Sequence, residues 1–89
     1  MVNVKFGQIV FSKAGHDVNE AYVVLGTEQD KVILADGKYK TLEKPKKKNI
    51  KHLQPTNYIE DSLAKKQELG LLRNEDIKRA IKLYLNSSK

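Results

Sequence analysis

Gly7-Gln8-Ile9-Val10-Phe11-Ser12-Lys13-Ala14-Gly15-His16-Asp17, resumed at Ala21-Tyr22-Val23-Val24-Leu25-Gly26, is the stretch that decides the fold. Residues 8–13 make a short run of β-branched and aromatic side chains, opened by Gly7 and closed by Ala14-Gly15. Residues 21–25 make a second, ending at Gly26, and residues 32–35 a third. Asp36-Gly37 then stands before Lys38-Tyr39-Lys40-Thr41-Leu42, which reads as a fourth strand. An Asp-Gly pair between strand-like runs predicts a two-residue hairpin, since both positions tolerate the positive φ of a type I′ turn. Residues 50–53 supply a fifth strand, and Pro45 suits a loop or a strand edge. Several short strands within about fifty residues predict a small barrel rather than an open sheet.

After Pro55 the period changes from that of strands to that of helices. Asn57 is placed as an N-cap with Glu60 three residues on, and Tyr58, Ile59, Leu63 and Leu69 fall in one helical arc that Gly70 stops. Asn74 is read as the cap of a second helix, with Glu75 and Asp76 in the first turn where the helix dipole favours acids. Ile77, Ala80, Ile81, Tyr84 and Leu85 then recur at the spacing of a one-sided apolar stripe, with Lys78, Arg79 and Lys82 off it. Ser87-Ser88-Lys89 reads as a frayed tail. The fold class expected is mainly β with α: a barrel of about five strands over residues 1–55, and a helical hairpin over 56–89 packed on it as one structural unit. Two short helices alone would be marginal in water.

Charge sharpens the expectation. The 89 residues hold 17 Lys and Arg against 11 Asp and Glu, a net +6. From Lys38 to Lys51 there are seven lysines (38, 40, 44, 46, 47, 48 and 51) and one acid, Glu43. That window therefore carries the whole net charge. Lysines so crowded repel one another unless an anion offsets them, which points to a polyanion-facing surface. The plain alternative is a solvated loop, or a lysine-rich edge strand that blocks aggregation.

Other chemistries are poorly supplied. There is no cysteine, which excludes disulfides, thiolate nucleophiles and cysteine-type zinc sites. His16 and His52 stand in different segments, and no phosphate-binding glycine loop or His-Glu-x-x-His pattern occurs. The pairs Glu60-Asp61 and Glu75-Asp76 are better explained by helix starts than by acid–base work. No catalytic residue, metal, cofactor or small-molecule substrate is expected. No apolar run nears the roughly 18–20 residues that span a bilayer, and Met1-Val2-Asn3-Val4-Lys5 has no apolar leader core. A soluble cytoplasmic protein is the expectation.

The stretch quoted at the outset resembles a KOW motif, in which a strand, a glycine-containing turn and a second strand begin an SH3-like barrel. With Asp36-Gly37, Glu43-Lys44-Pro45-Lys46-Lys47-Lys48 and Lys51-His52-Leu53 added, the chain is similar to small bacterial KOW-domain RNA-binding proteins. Those are in turn similar to a eukaryotic and archaeal type of large-subunit ribosomal protein. The resemblance covers about residues 5–55 well and the helical part by more generic features. It departs at Asp17-Val18-Asn19-Glu20-Ala21, where many KOW motifs carry Lys-Gly and a further Gly. The turn here is then shaped by Gly15, Asp17 and Asn19.

The resemblance implies RNA binding, with ribosomal RNA or the ribosome first among partners. Carried onto this chain, the contacts are Lys13, Gly15 and His16 on the first turn, and Lys38, Tyr39 and Lys40 around the hairpin. The basic arm adds Lys44, Lys46, Lys47, Lys48, Lys51 and His52. The lysines would meet phosphates, with little sequence discrimination. Tyr39 is read either as a base-stacking platform or as a residue facing the core; His52 as a surface contact or a structural hydrogen bond. Phe11, Val10, Tyr22, Val24 and Ile33 are assigned to the core. Reversing Lys46, Lys47 and Lys48 to Glu is expected to abolish RNA binding with the fold intact, because those positions read as exposed. The rival reading is a protein-interaction adaptor in transcription or translation complexes, using the barrel edge or the C-terminal helices.

Overall fold

The computed structural model describes residues 3–87. Five strands come first: β1 (Gln8–Ser12), β2 (Ala21–Glu28), β3 (Lys31–Ala35), β4 (Lys46–Asn49) and β5 (Leu53–Ile59). Two helices follow, α1 (Asp61–Glu68) and α2 (Asn74–Ser87). The strands form one antiparallel sheet in the order β4-β3-β2-β1-β5.

No ladder joins β4 to β5, so hydrogen bonding does not close the sheet. It must nevertheless curl. A flat five-stranded sheet would hold its edges about 19 Å apart. Here a three-residue 3₁₀ turn, Ile50–His52, carries the chain from one edge strand to the other, and such a turn rises only about 6 Å. The core shows the same curvature. Val32 and Leu34 of β3 pack in one cluster with Leu53 of β5, although β2 and β1 lie between those strands.

Alternation along the strands gives the sheet two apolar faces. Val10, Tyr22, Val24, Val32, Leu34 and Leu53 fill the curl. Ile9, Val23 and Ala35 point the other way and are covered by Leu63 of α1 and by Ile77 and Ala80 of α2. Burying Ile77 on that face is worth about 2–3 kcal/mol. The apolar stripe of α2 is thus partnered by the sheet, with Ile81 and Tyr84 half-buried beside it. Of the five residues assigned to the core, Val10, Tyr22 and Val24 are buried, while Phe11 and Ile33 are only partly covered.

Several expected boundaries are corrected. β2 does not end at Gly26 but runs to Glu28, with a register shift between Val24 and Gly26. Residues 38–42 are not a strand: Asp36 Oδ1 accepts the backbone N–H groups of Lys38, Tyr39 and Lys40 at 2.8–2.9 Å. That side chain folds the segment back on itself and consumes the amides a ladder would need. The strand partner of β3 is instead the lysine run itself, as β4 on the sheet edge.

Residues 57–59 belong to β5, and residues 50–52, expected to open a strand, form the 3₁₀ turn. Asn57 therefore caps nothing, and the expected 55/56 boundary falls inside a strand. The first helix starts at Asp61, and Glu60 before it makes no capping bond. Its carboxylate accepts the Tyr58 hydroxyl at 2.5 Å and the Ser62 hydroxyl at 2.7 Å. Gly70, at φ +72°, does stop that helix. Ser87 is helical rather than frayed; Ser88 and Lys89, like Met1 and Val2, lie outside the described residues.

Candidate nucleic-acid interface

The turn between β1 and β2 is shaped as its residues require. Gly15 (φ +89°) and Asn19 (φ +73°) adopt the left-handed region. Between them Asp17 points inward and becomes the hub of the basic surface. Its Oδ1 accepts Ser12 Oγ at 2.8 Å and Lys48 Nζ at 2.6 Å; its Oδ2 accepts Tyr22 Oη at 2.8 Å and Lys46 Nζ at 2.5 Å. Lys46 and Lys48 reach the same carboxylate because residues two apart on a strand share a face. Lys48 Nζ also donates to the Ala14 carbonyl at 2.7 Å. Lys47, between them, points the other way and pairs with Glu28 Oε1 at 2.6 Å.

The hub is well shielded. The Asp17, Lys46 and Lys48 side chains retain 14%, 28% and 12% of their exposure. Burial by itself would raise the Asp17 pKa, but the hydrogen bonds from Lys46, Lys48, Ser12 and Tyr22 prevail and hold it well below the usual carboxylate range. Burial, reinforced by the Asp17 carboxylate, pushes the Tyr22 phenol upward. A depressed carboxyl contributes stability that is complete above its ordinary value of 3.8 and is lost as pH falls through the folded value. Glu60, held down by Tyr58 and Ser62, and Asp76, held down by Lys66, act in the same direction. The urea midpoint should therefore fall between pH 5 and pH 2, and Asp17→Asn should lose less over that range than the parent. Equal acid losses in the two proteins would show that Asp17 is not the group titrating.

This arrangement divides the basic window. Lys46, Lys47 and Lys48 have carboxylate partners, and reversing all three would put new acids against Asp17 and Glu28. Of the three, which were expected to be exposed and replaceable with the fold intact, only Lys47 is exposed, and it too has an acidic partner in Glu28. Lys13, Lys38, Lys40, Lys44 and Lys51 are exposed and have no carboxylate partner among the described residues.

The residues singled out from the sequence gather at two places. Lys13, Gly15 and His16 on the first turn lie beside Lys51 and His52, joined by the Lys13 N–H donating to the His52 carbonyl at 2.9 Å. His16 is exposed; His52 is half-buried and ties the fold through its backbone. Lys38, Tyr39 and Lys40 lie on the 36–45 loop, with Lys44 further along it. Tyr39 does not face the core: it is 75% exposed, with Lys38 Nζ 5.0 Å from its ring centroid.

Two features escaped sequence reading. The anchoring role of Asp17 was marked only by an acid two residues past a turn glycine. Lys78 and Lys82 of α2 flank a groove shared with the 36–45 loop; their i, i+4 spacing off the apolar stripe was the available sign. Among the described residues no cluster of His, Asp and Glu is arranged to hold a metal ion, and no helix is long and apolar enough to cross a membrane. In comparisons with known proteins the chain matches no family model and no curated protein.

Proposed function

We propose that this chain is a non-catalytic RNA-binding domain of the KOW type, its curled sheet an SH3-like barrel, and that ribosomal RNA is its principal target. One observation carries the reading: Lys13, Lys38, Lys40, Lys44 and Lys51 stand exposed without acidic partners among the described residues, while neighbouring lysines are tied to Asp17 and Glu28. Unpaired ammonium groups on a rigid support suit phosphates, whose neutralisation releases condensed counterions. RNA is favoured over duplex DNA because the cations sit on turns and loops rather than along a recognition helix, and irregular RNA is read by shape and by unpaired bases. The resemblance in residues 5–55 selects ribosomal RNA among RNAs, and the curled sheet with its enclosed apolar cluster supports the barrel.

The adaptor reading rests on a different observation. Leu69 and Leu71 flank Gly70 in the turn between the helices, and both are exposed. A salt titration separates the two. Binding to an rRNA fragment should weaken with a log–log slope of about −3 to −4 against salt, as expected for four to five phosphates neutralised. Duplex DNA of equal length should bind more weakly at every salt concentration. Equal affinity for both would overturn the preference for RNA, and absence of binding would leave the adaptor.

A further inference from the structure

The 36–45 loop is fastened to the start of α2. Gly37, at φ +79°, lies so close to the helix that an added Cβ would collide with the Asn74 carbonyl oxygen and stand 3.0 Å from the Lys78 backbone nitrogen. Asn74 does not cap its own helix. Its Oδ1 accepts the Leu42 N–H at 2.8 Å and its Nδ2 donates to Glu43 Oε1 at 3.0 Å. Tyr39 is thereby held across from α2, and a groove of about 590 Å³ lies between them.

Phe11 and Ile81, both half-buried, give the groove an apolar floor, and Tyr39, Lys38, Lys78 and Lys82 surround it. None of the three lysines has a carboxylate partner among the described residues. Lys78 and Lys82 are neighbours on one side of α2, where like charges are mutually destabilising without an anion. Two acids also line the space. Asp36 spends an oxygen on three backbone amides, while Glu20 remains as an acceptor facing the groove.

We infer that this groove receives one unpaired nucleotide of RNA, its base stacked on Tyr39 over the Phe11–Ile81 floor and its flanking phosphates on Lys78 and Lys82. The inference rests on the RNA-binding reading and adds to it α2 and a requirement for an unpaired base. The volume falls in the range of sites that enclose a small ligand. Lys38 covers at most one face of the Tyr39 ring, and the other is open to a base. Glu20 is placed to accept from an exocyclic amine or a ribose 2′-hydroxyl, groups a phosphate-only site would ignore. A paired base presents no free face to the ring, so duplex RNA cannot use the groove.

The chain contains no tryptophan, so a Tyr39→Trp variant reports from this groove alone. Its emission should be quenched by a 12-nucleotide single-stranded RNA and left unchanged by the same strand annealed to its complement. Tyr39→Ala should weaken single-strand binding about ten- to hundredfold, the range of base–aromatic stacking. Lys78→Ala and Lys82→Ala should each reduce the salt slope by about 0.7. RNA binding that is steeply salt-dependent but leaves the fluorescence unmoved would overturn the groove and spare the RNA reading. Quenching by the duplex as well would overturn the requirement for an unpaired base. If neither form of RNA binds, the RNA reading fails and the groove inference with it.

Discussion

Replacing Asp17 with alanine should cost the domain about 3 kcal/mol, the scale on which a shielded ion pair loses one partner. The change strands two ammonium groups, Lys46 and Lys48, on one face of an edge strand, about 7 Å apart along the chain. It also removes the acceptor of the Tyr22 hydroxyl, in a residue only 4% exposed, and an unsatisfied buried donor costs about 1–3 kcal/mol by itself. A domain of this length holds roughly 4–13 kcal/mol in all. The loss should appear as a fall of about 15 °C in Tm and a lower urea midpoint with unchanged slope. Asp17→Asn, which keeps the shape and one acceptor oxygen, should fall between parent and alanine variant. A cost below about 1 kcal/mol for the alanine change would mean that solvent already screens the hub.

Gly37→Ala should be nearly as damaging, for a steric reason. An L-residue at positive φ costs about 1–2 kcal/mol, and forcing a methyl group into occupied space adds about 1–3 kcal/mol. The obstructing atoms include the Asn74 carbonyl oxygen and the Lys78 nitrogen, both backbone, so no side-chain rotation relieves the contact. The loop must lift from α2, giving up the bonds that Asn74 makes to Leu42 and Glu43. A destabilisation of about 3 kcal/mol by urea titration is expected, together with weaker single-stranded RNA binding under conditions where the variant remains folded. Gly26→Ala is the control: its φ is ordinary and nothing lies within 4 Å of the added carbon, so stability should stay within about 0.5 kcal/mol. Similar costs at the two positions would show that loss of glycine itself, rather than the helix contact, is responsible.

Three of the five strands were legible because their cores are β-branched and their ends are marked by glycine or polar turns. β1, β2 and β3 lie where Ile9-Val10, Tyr22-Val23-Val24 and Val32-Ile33-Leu34 stand. The other two carry no such signal. β4 is Lys46-Lys47-Lys48-Asn49, polar because it edges the sheet and because Asp17 and Glu28, distant in sequence, receive its side chains. β5 buries only Leu53 fully and contains Pro55 and Asn57, residues that locally suggest the approach to a helix. Tertiary pairing with β1 overrides that preference. For the candidate binding surface, the charge of the 38–51 window was plain from composition. Its division into tied and unpaired lysines was not, because it depends on one carboxylate folded in from the first turn.

The strand order also sets a timetable. β1 meets β2 across a short turn, but its other neighbour, β5, lies about forty residues further along: Ser12 pairs with Leu53. A chain emerging from the ribosome at about 5–20 residues per second leaves that flank of β1 bare for several seconds. During this interval the β1–β3 meander has an open edge and an uncovered apolar face, the form in which nascent sheets recruit wrong partners. The lysine run of β4 is synthesised within the interval and joins the opposite edge by pairing with β3. That pairing puts charge on the outer edge at β3, while the flank of β1 stays bare until β5 arrives a few residues later.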